Sequence, residues 1–229
     1  MRGRAVVSGV LSAMLLCVTF AQSEGWLHIG RDSLCVTEGA VEKASGDHLS
    51  VNVPKMRAYA TESTAQSAEV RFTYLGGTSK ESALGSGAIR RQFGLKLHAQ
   101  DPCNLVYAMW RIEPESKLVV SVKRNPEAHS SAECGNRGYQ NIKPNKSAAV
   151  PRLTAGQSHT MRAQMKRDEL RVFVDNHEVW KGSVGADASA LDGPIGIRSD
   201  NARLEFDLRA GKPEGTVVQG KACKAGDGD

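Results

Sequence analysis

No two cysteines in this 229-residue chain are spaced C-x-x-C, and none of its six histidines has another two or four residues away. Those gaps remove the usual zinc, thiol-redox and helical metal-site signatures. No Gly-rich phosphate loop follows a strand-like run, and no G-x-S-x-G elbow occurs. Long helical patterns are missing too: no stretch beyond two turns keeps apolar residues at i, i+3, i+4 and i+7. After the first twenty-odd residues, no apolar run reaches the roughly 18 needed to span a bilayer. Charge of one sign is also scarce, with 30 Lys and Arg against 25 Asp and Glu. Arg90-Arg91 and Lys166-Arg167 are short, separated pairs rather than the basic face that grips nucleic acid, so the small excess reads as solubility. Trp26, Trp110 and Trp180 read as core or rim packing, not as a row for stacking bases.

The N-terminus is different. Arg2 and Arg4 precede an apolar run from Ala5 to Ala21 that ends among small residues, which is the layout of a secretory signal at residues 1–21 with cleavage after Ala21. Leu16 stands before Cys17 where a lipidation signal wants a small residue. Loss of Arg2 and Arg4 lowers the formal charge from +5 to +3. The expectation is a secreted or periplasmic protein without a membrane span. Four cysteines remain, an even count that in an exported chain reads as two disulfides. Of the three pairings, we expect Cys103–Cys134 closing a middle excursion and Cys35–Cys223 tying the two ends.

Period-two alternation dominates residues 22–210. "HLSVNVPKMRAYA", "AEVRFTYLG", "AIRRQFGLKLHA", "NLVYAMWRIE", "KLVVSVKR", "TMRAQMKR", "ELRVFVD", "EVWKGSV", "IGIRS" and "ARLEFDLR" read as about ten strands separated by Gly, Pro, Asn, Asp and Ser. Many short strands without intervening helices predict one all-β domain, either two stacked sheets or a barrel. The pattern turns Val106, Ala108, Trp110 and Ile112 inward, with Leu118, Val120, Val122, Leu170, Val172, Val174, Leu204, Phe206 and Leu208. Leu105, Tyr107, Met109 and Arg111 then face out. Residues 125–156 break the rhythm as a long excursion of the kind that is often functional. Residues 211–229 form a polar, Gly-rich tail tied down by Cys223, with an acidic end expected to be disordered.

The run Asp175-Asn176-His177-Glu178 resembles a metal or acid–base cluster but sits between two strand-like runs. Asn and Asp accept the positive φ of a tight hairpin, so a turn explains them. Around this hairpin, "HTMRAQMKRDELRVFVDNHEVWKGSVGADASALDGPIGIRSDNARLEFDLR" resembles the C-terminal half of a concanavalin A-like lectin/glucanase jelly roll. The shared pattern is a strand hairpin through Asp175-Asn176, then "GPIGIRS", then a closing strand with Phe206 and Leu208. Within that superfamily it is similar to laminin-G-like and 3-keto-disaccharide-hydrolase-like members. The resemblance implies an antiparallel two-sheet jelly roll with carbohydrate as the default ligand, and rim loops near Asp187, Asp192 and Asp200 where related domains hold calcium.

The glucanases of that superfamily carry a row of three carboxylates on one strand. Here only Glu205-Phe206-Asp207 approaches it, and the third acid is missing. Glu113 or Glu133 with His129 offers an acid–base pair that spacing does not single out. The outward residues are more informative. Tyr107 and Arg111, with Lys123, Arg162, Gln164 and Arg171 on strands beside them, would form an aromatic platform among hydrogen-bond donors, a surface suited to sugars and, through its arginines, to anionic ones. We therefore expect an exported, non-catalytic carbohydrate- or glycoconjugate-binding sandwich without a cofactor. The alternatives are a glycoside-processing enzyme of the keto-sugar hydrolase type and a structural protein of the cell envelope.

Overall fold

The structure is a computed structural model that describes residues 25–64, 66–212, 217–220, 222–226 and 228. The expected signal segment, residues 1–21, lies outside them, as do Asp227 and Asp229 of the acidic end.

The chain opens with strands β1 (Trp26–Ile29), β2 (Leu34–Glu38), β3 (Glu42–Lys43), β4 (Leu49–Val51), β5 (Lys55–Ala60) and β6 (Glu62–Ser63). Four longer strands follow: β7 (Ser67–Gly77), β8 (Arg91–Asp101), β9 (Asn104–Glu113) and β10 (Lys117–Lys123). Helix α1 (Ser131–Cys134), β11 (Tyr139–Asn141) and β12 (Lys146–Ser147) lead into β13 (Ser158–Lys166), β14 (Glu169–Val174) and β15 (His177–Ser183). Helix α2 (Ala186–Ser189), β16 (Gly196–Asp200), β17 (Ala202–Gly211) and β18 (Val218–Gln219) complete the described chain.

These strands build a two-sheet antiparallel sandwich, not a closed barrel. A nine-stranded sheet runs β12-β15-β14-β13-β7-β17-β4-β3, with β1 also on β17, and a seven-stranded sheet runs β11-β10-β9-β8-β16-β5-β2. Between them lies one apolar core in which the alternation is obeyed: Val106, Ala108, Trp110, Val120, Val172, Leu204, Phe206 and Leu208 are all fully buried. Phe72, Phe93 and Trp110 meet at its centre, with ring centroids 4.3 to 6.0 Å apart. A side chain of this size contributes about 1.5–3 kcal/mol when taken wholly out of water, so the apolar periodicity is also the main source of stability.

The Asp175-Asn176 corner is a tight turn, with φ of 48° and 66°, between β14 and β15. Asp175 does more than turn the chain. Its carboxylate accepts from the Thr160 backbone N–H at 2.9 Å and meets His159 Nδ1 at 2.7 Å, which ties the hairpin tip to the start of β13. Both expected disulfides are present, Cys103–Cys134 and Cys35–Cys223.

One expectation needs correction. The tail is held by more than Cys223: β18 pairs with β6, and the Gly226 N–H donates to the Thr37 carbonyl. The 125–156 excursion bridges the two sheets. Its β11 adds to β10 at the edge of the seven-stranded sheet, and its β12 adds to β15 at the edge of the nine-stranded sheet.

Candidate functional site

The register divides the sequence-derived candidates between two surfaces. Tyr107, Arg111 and Lys123 share the outer face of the seven-stranded sheet, since Ser121 pairs with Tyr107, Lys117 with Arg111 and Lys123 with Leu105. Arg162, Gln164 and Arg171 lie on β13 and β14, in the other sheet, facing away from the core on the opposite side of the sandwich. They are not beside Tyr107. Strand order is invisible to alternation, which reports a face but not the sheet that owns it. The outer face holding Arg162 and Gln164 is laced with ion pairs, Arg71 with Glu69, Arg171 with Glu169, and Arg209 with Asp207. Arg162 itself lies over Phe173, 4.6 Å from the ring centroid.

Over the seven-stranded sheet, the expected open platform is covered. Leu105 and Tyr107 are 1% exposed, and with Ala99 and Met109 they make a second, smaller apolar layer. The cover comes from the 125–156 excursion. Tyr139 of β11 stacks on Tyr107 with centroids 5.9 Å apart and an interplanar angle of 26°. Tyr139 is 40% exposed, so the aromatic surface that reaches solvent is Tyr139, with Tyr107 as its support. Lys123 is fully buried, its ammonium 5.1 Å from the Tyr139 centroid, an arrangement in which the ring face attracts the cation. Among the described residues, the Lys123 ammonium is buried without a hydrogen-bond partner.

Arg198 of β16 completes the arrangement. Its guanidinium carbon is 5.3 Å from the Tyr107 centroid, and its Nη1 donates to the Tyr139 hydroxyl at 3.3 Å. Its Nε donates to Asp200 at 3.0 Å. Asp200 was expected on a calcium-holding rim loop but ends β16 fully buried, where it also accepts from Arg57 at 2.7 Å and from Gln92 at 2.7 Å. Burial opposes its ionisation; the Arg198 and Arg57 charges and the donated hydrogen bonds outweigh that and hold the carboxyl below its usual range. Asp187 falls in helix α2 and Asp192 in the loop after it. Among the described residues, no three His, Cys, Asp or Glu side chains converge in a way that would hold a metal ion.

Beside Tyr139 lies a groove of about 290 Å³. Met109 and Val119, paired across β9 and β10, give it an apolar floor. Arg90, Arg111, Arg198, Asn136 and Asn141 give it polar walls. Arg111 Nε is buried without a hydrogen-bond partner. Burial first, and then the like charge of Arg90, push the Arg111 pKa down, with Glu115 partly opposing them. Sequence reasoning missed Tyr139, Arg90, Asn136 and Arg198. Arg198 follows inward Ile197 in "IGIRS" and Arg90 stands in the strand-like run "AIRRQFGLKLHA", whereas Asn136 and Tyr139 belong to the 125–156 excursion, where the alternation is broken.

A larger hollow of about 490 Å³ lies on the same face, lined by Tyr59, Lys96, Leu105, Asp101, His129 and Glu133. Here the expected Glu133 and His129 do come together, but with other duties. Glu133 accepts the backbone N–H groups of His129 and Ser130 at 2.8 Å each, as the capping box of α1, and these bonds hold its pKa down. His129 Nδ1 meets buried Asp101 at 2.9 Å. Glu113 lies elsewhere, paired with Arg91 at 2.8 Å. Of the short carboxylate row, Glu205 is exposed and Asp207 is engaged by His28 and Arg209, both on the nine-stranded sheet.

No protein-family profile matches the chain, and no curated protein matches it. Among solved structures, it is similar to the carbohydrate-binding module CBM66 from Bacillus subtilis, at 11% identity over 80% of this chain and 92% of that one, with a TM-score of 0.51. The chain shares the two-sheet jelly-roll fold of that module. Looser likenesses to this jelly roll include domain 4 of AbnA, a GH43 extracellular arabinanase from Geobacillus stearothermophilus in complex with arabinotriose (10% identity, 78% of this chain and 82% of that one, TM-score 0.43). Another is the galectin LEC-6 from Caenorhabditis elegans (8% identity, 80% and 97%, TM-score 0.40).

Proposed function

We propose that this jelly roll is an exported carbohydrate- or glycoconjugate-binding protein without catalytic activity, and that it holds its ligand in the groove beside Tyr139. The observation that carries the reading is the Tyr139–Tyr107 stack, whose outer ring is exposed at the side of an apolar-floored groove walled by Arg and Asn. A pyranose or furanose offers both an apolar C–H face and a ring of hydroxyls, and this groove answers each with a matching surface. The fold it shares with a carbohydrate-binding module supports the reading. Export is supported by the Arg2/Arg4-led apolar start and by two disulfides, which persist in oxidising compartments.

A glycan array probed with the purified protein, followed by titration of the best ligand, tests this. Tyr139→Ala should weaken binding about tenfold, the scale of a lost stacking contact with its buried area, while Tyr139→Phe retains most of it. Unchanged affinity in Tyr139→Ala would place the ligand elsewhere.

A further inference from the structure

The groove beside Tyr139 is lined by guanidiniums without carboxylates among the described residues. Across the nine-stranded sheet and at the β8–β9 corner, guanidiniums are met by carboxylates, as with Arg71 and Glu69, Arg91 and Glu81, and Arg171 and Glu169. Among the described residues, no Asp or Glu lines the groove, yet three arginines do. Arg198, the third, is paired with buried Asp200 at 3.0 Å. Among the described residues, Arg90 and Arg111 make no ion pair, and Arg111 Nε has no hydrogen-bond partner. A partly desolvated guanidinium next to a second one is unfavourable unless an anion joins them.

We propose that the ligand is an anionic glycan, one bearing carboxylate or sulfate oxygens, whose charge is received by Arg111 and Arg90 while a neighbouring sugar ring packs on Tyr139. The proposal rests on the sugar-binding reading of the same groove and adds the chemical class of the ligand. Guanidinium is the cation suited to this task, because its planar N–H fork matches two oxygens of a carboxylate or sulfate at once. Met109 and Val119 on the floor exclude water from that contact and strengthen it.

The test uses the purified full chain and three probes: an oligosaccharide of hexuronic acids, its carboxyl-reduced neutral counterpart of the same linkage, and an O-sulfated neutral oligosaccharide, each first chosen from array positives of its class. We expect an acidic probe to bind about tenfold or more tightly than the reduced one, the scale of one charge-assisted bidentate contact, with affinity falling as salt rises. Arg111→Gln should bring the ratio of acidic-probe to reduced-probe affinity close to one. Arg90→Gln, on the segment before β8, should remove part of it and guards against misfolding of the strand variant. Preference for uronate names carboxylate as the source of charge, and preference for the sulfated probe names sulfate; either supports the proposal. Equal affinity for acidic and reduced probes overturns it while leaving the sugar-binding reading intact. Absence of binding by every glycan class overturns both.

Discussion

The guanidinium of Arg198 lies across the ring of Tyr107, 5.3 Å from its centroid, and is aimed there by the buried carboxylate of Asp200 at 3.0 Å. The aromatic stack at the surface therefore depends on a charge at the bottom of the sheet. Asp200→Asn should destabilise the protein by about 3 kcal/mol, as breaking a buried ion pair does, and should weaken glycan binding through Arg198. Urea unfolding and ligand titration of the variant measure the two effects.

Asp200 also sets an acid limit. Its folded pKa is held below the ordinary value, so its contribution is present above the unfolded carboxylate pKa of about 4 and is lost as pH falls through the folded one. Stability of the parent relative to Asp200→Asn should stay level from pH 7 to about pH 5 and shrink progressively below about pH 4. Unfolding free energies of both proteins between pH 7 and 2 check this; a constant difference would show that Asp200 is not ionised in the fold.

Arg162→Ala and Gln164→Ala, on the outer face of the nine-stranded sheet, should leave glycan affinity within about twofold of the parent, since surface changes away from a site alter free energies by less than about 0.5 kcal/mol. Loss of binding in either would move the site across the sandwich.

The alternation was readable from the chain because residues such as Val172, Val120 and Phe206 have only one way to avoid water, and both disulfides followed from the need to close a middle segment and join the ends. Strand order was not, since β13 and β9 carry the same period-two pattern and nothing local says that they belong to different sheets. For the same reason Arg162 and Tyr107 looked like neighbours. Tyr139 escaped notice because it lies in a Gly-, Asn- and Pro-rich stretch whose short pairing with β10 is fixed by tertiary contacts, not by periodicity.

The two disulfides should be separable by function. In the chain-entropy treatment the 188-residue separation of Cys35 and Cys223 contributes more than the 31-residue separation of Cys103 and Cys134, by about 1.6 kcal/mol. Cys103→Ser with Cys134→Ser loosens the segment that carries Asn136 and Tyr139, so it should cost less stability but more affinity than Cys35→Ser with Cys223→Ser. Paired thermal melts and titrations distinguish them.

Gly94 lies between Met109 and Arg198 under the groove, and a Cβ there would approach the Ala108 carbonyl oxygen to 2.1 Å. Gly94→Ala should destabilise by about 1–3 kcal/mol through overpacking against backbone, read as a lower urea midpoint with an unchanged slope.

The pairing of β11 and β12 with the margins of the two sheets has a consequence for how the molecule behaves in a crowd. One continuous segment caps β10 on one layer and β15 on the other with ribbons of three and two residues. Strips that short, with Lys143 and Lys146 between and upon them, offer a neighbouring chain too few free amides to template onto. The stretch that shapes the proposed recognition surface thereby also guards these two margins against edge-to-edge pairing with copies of itself.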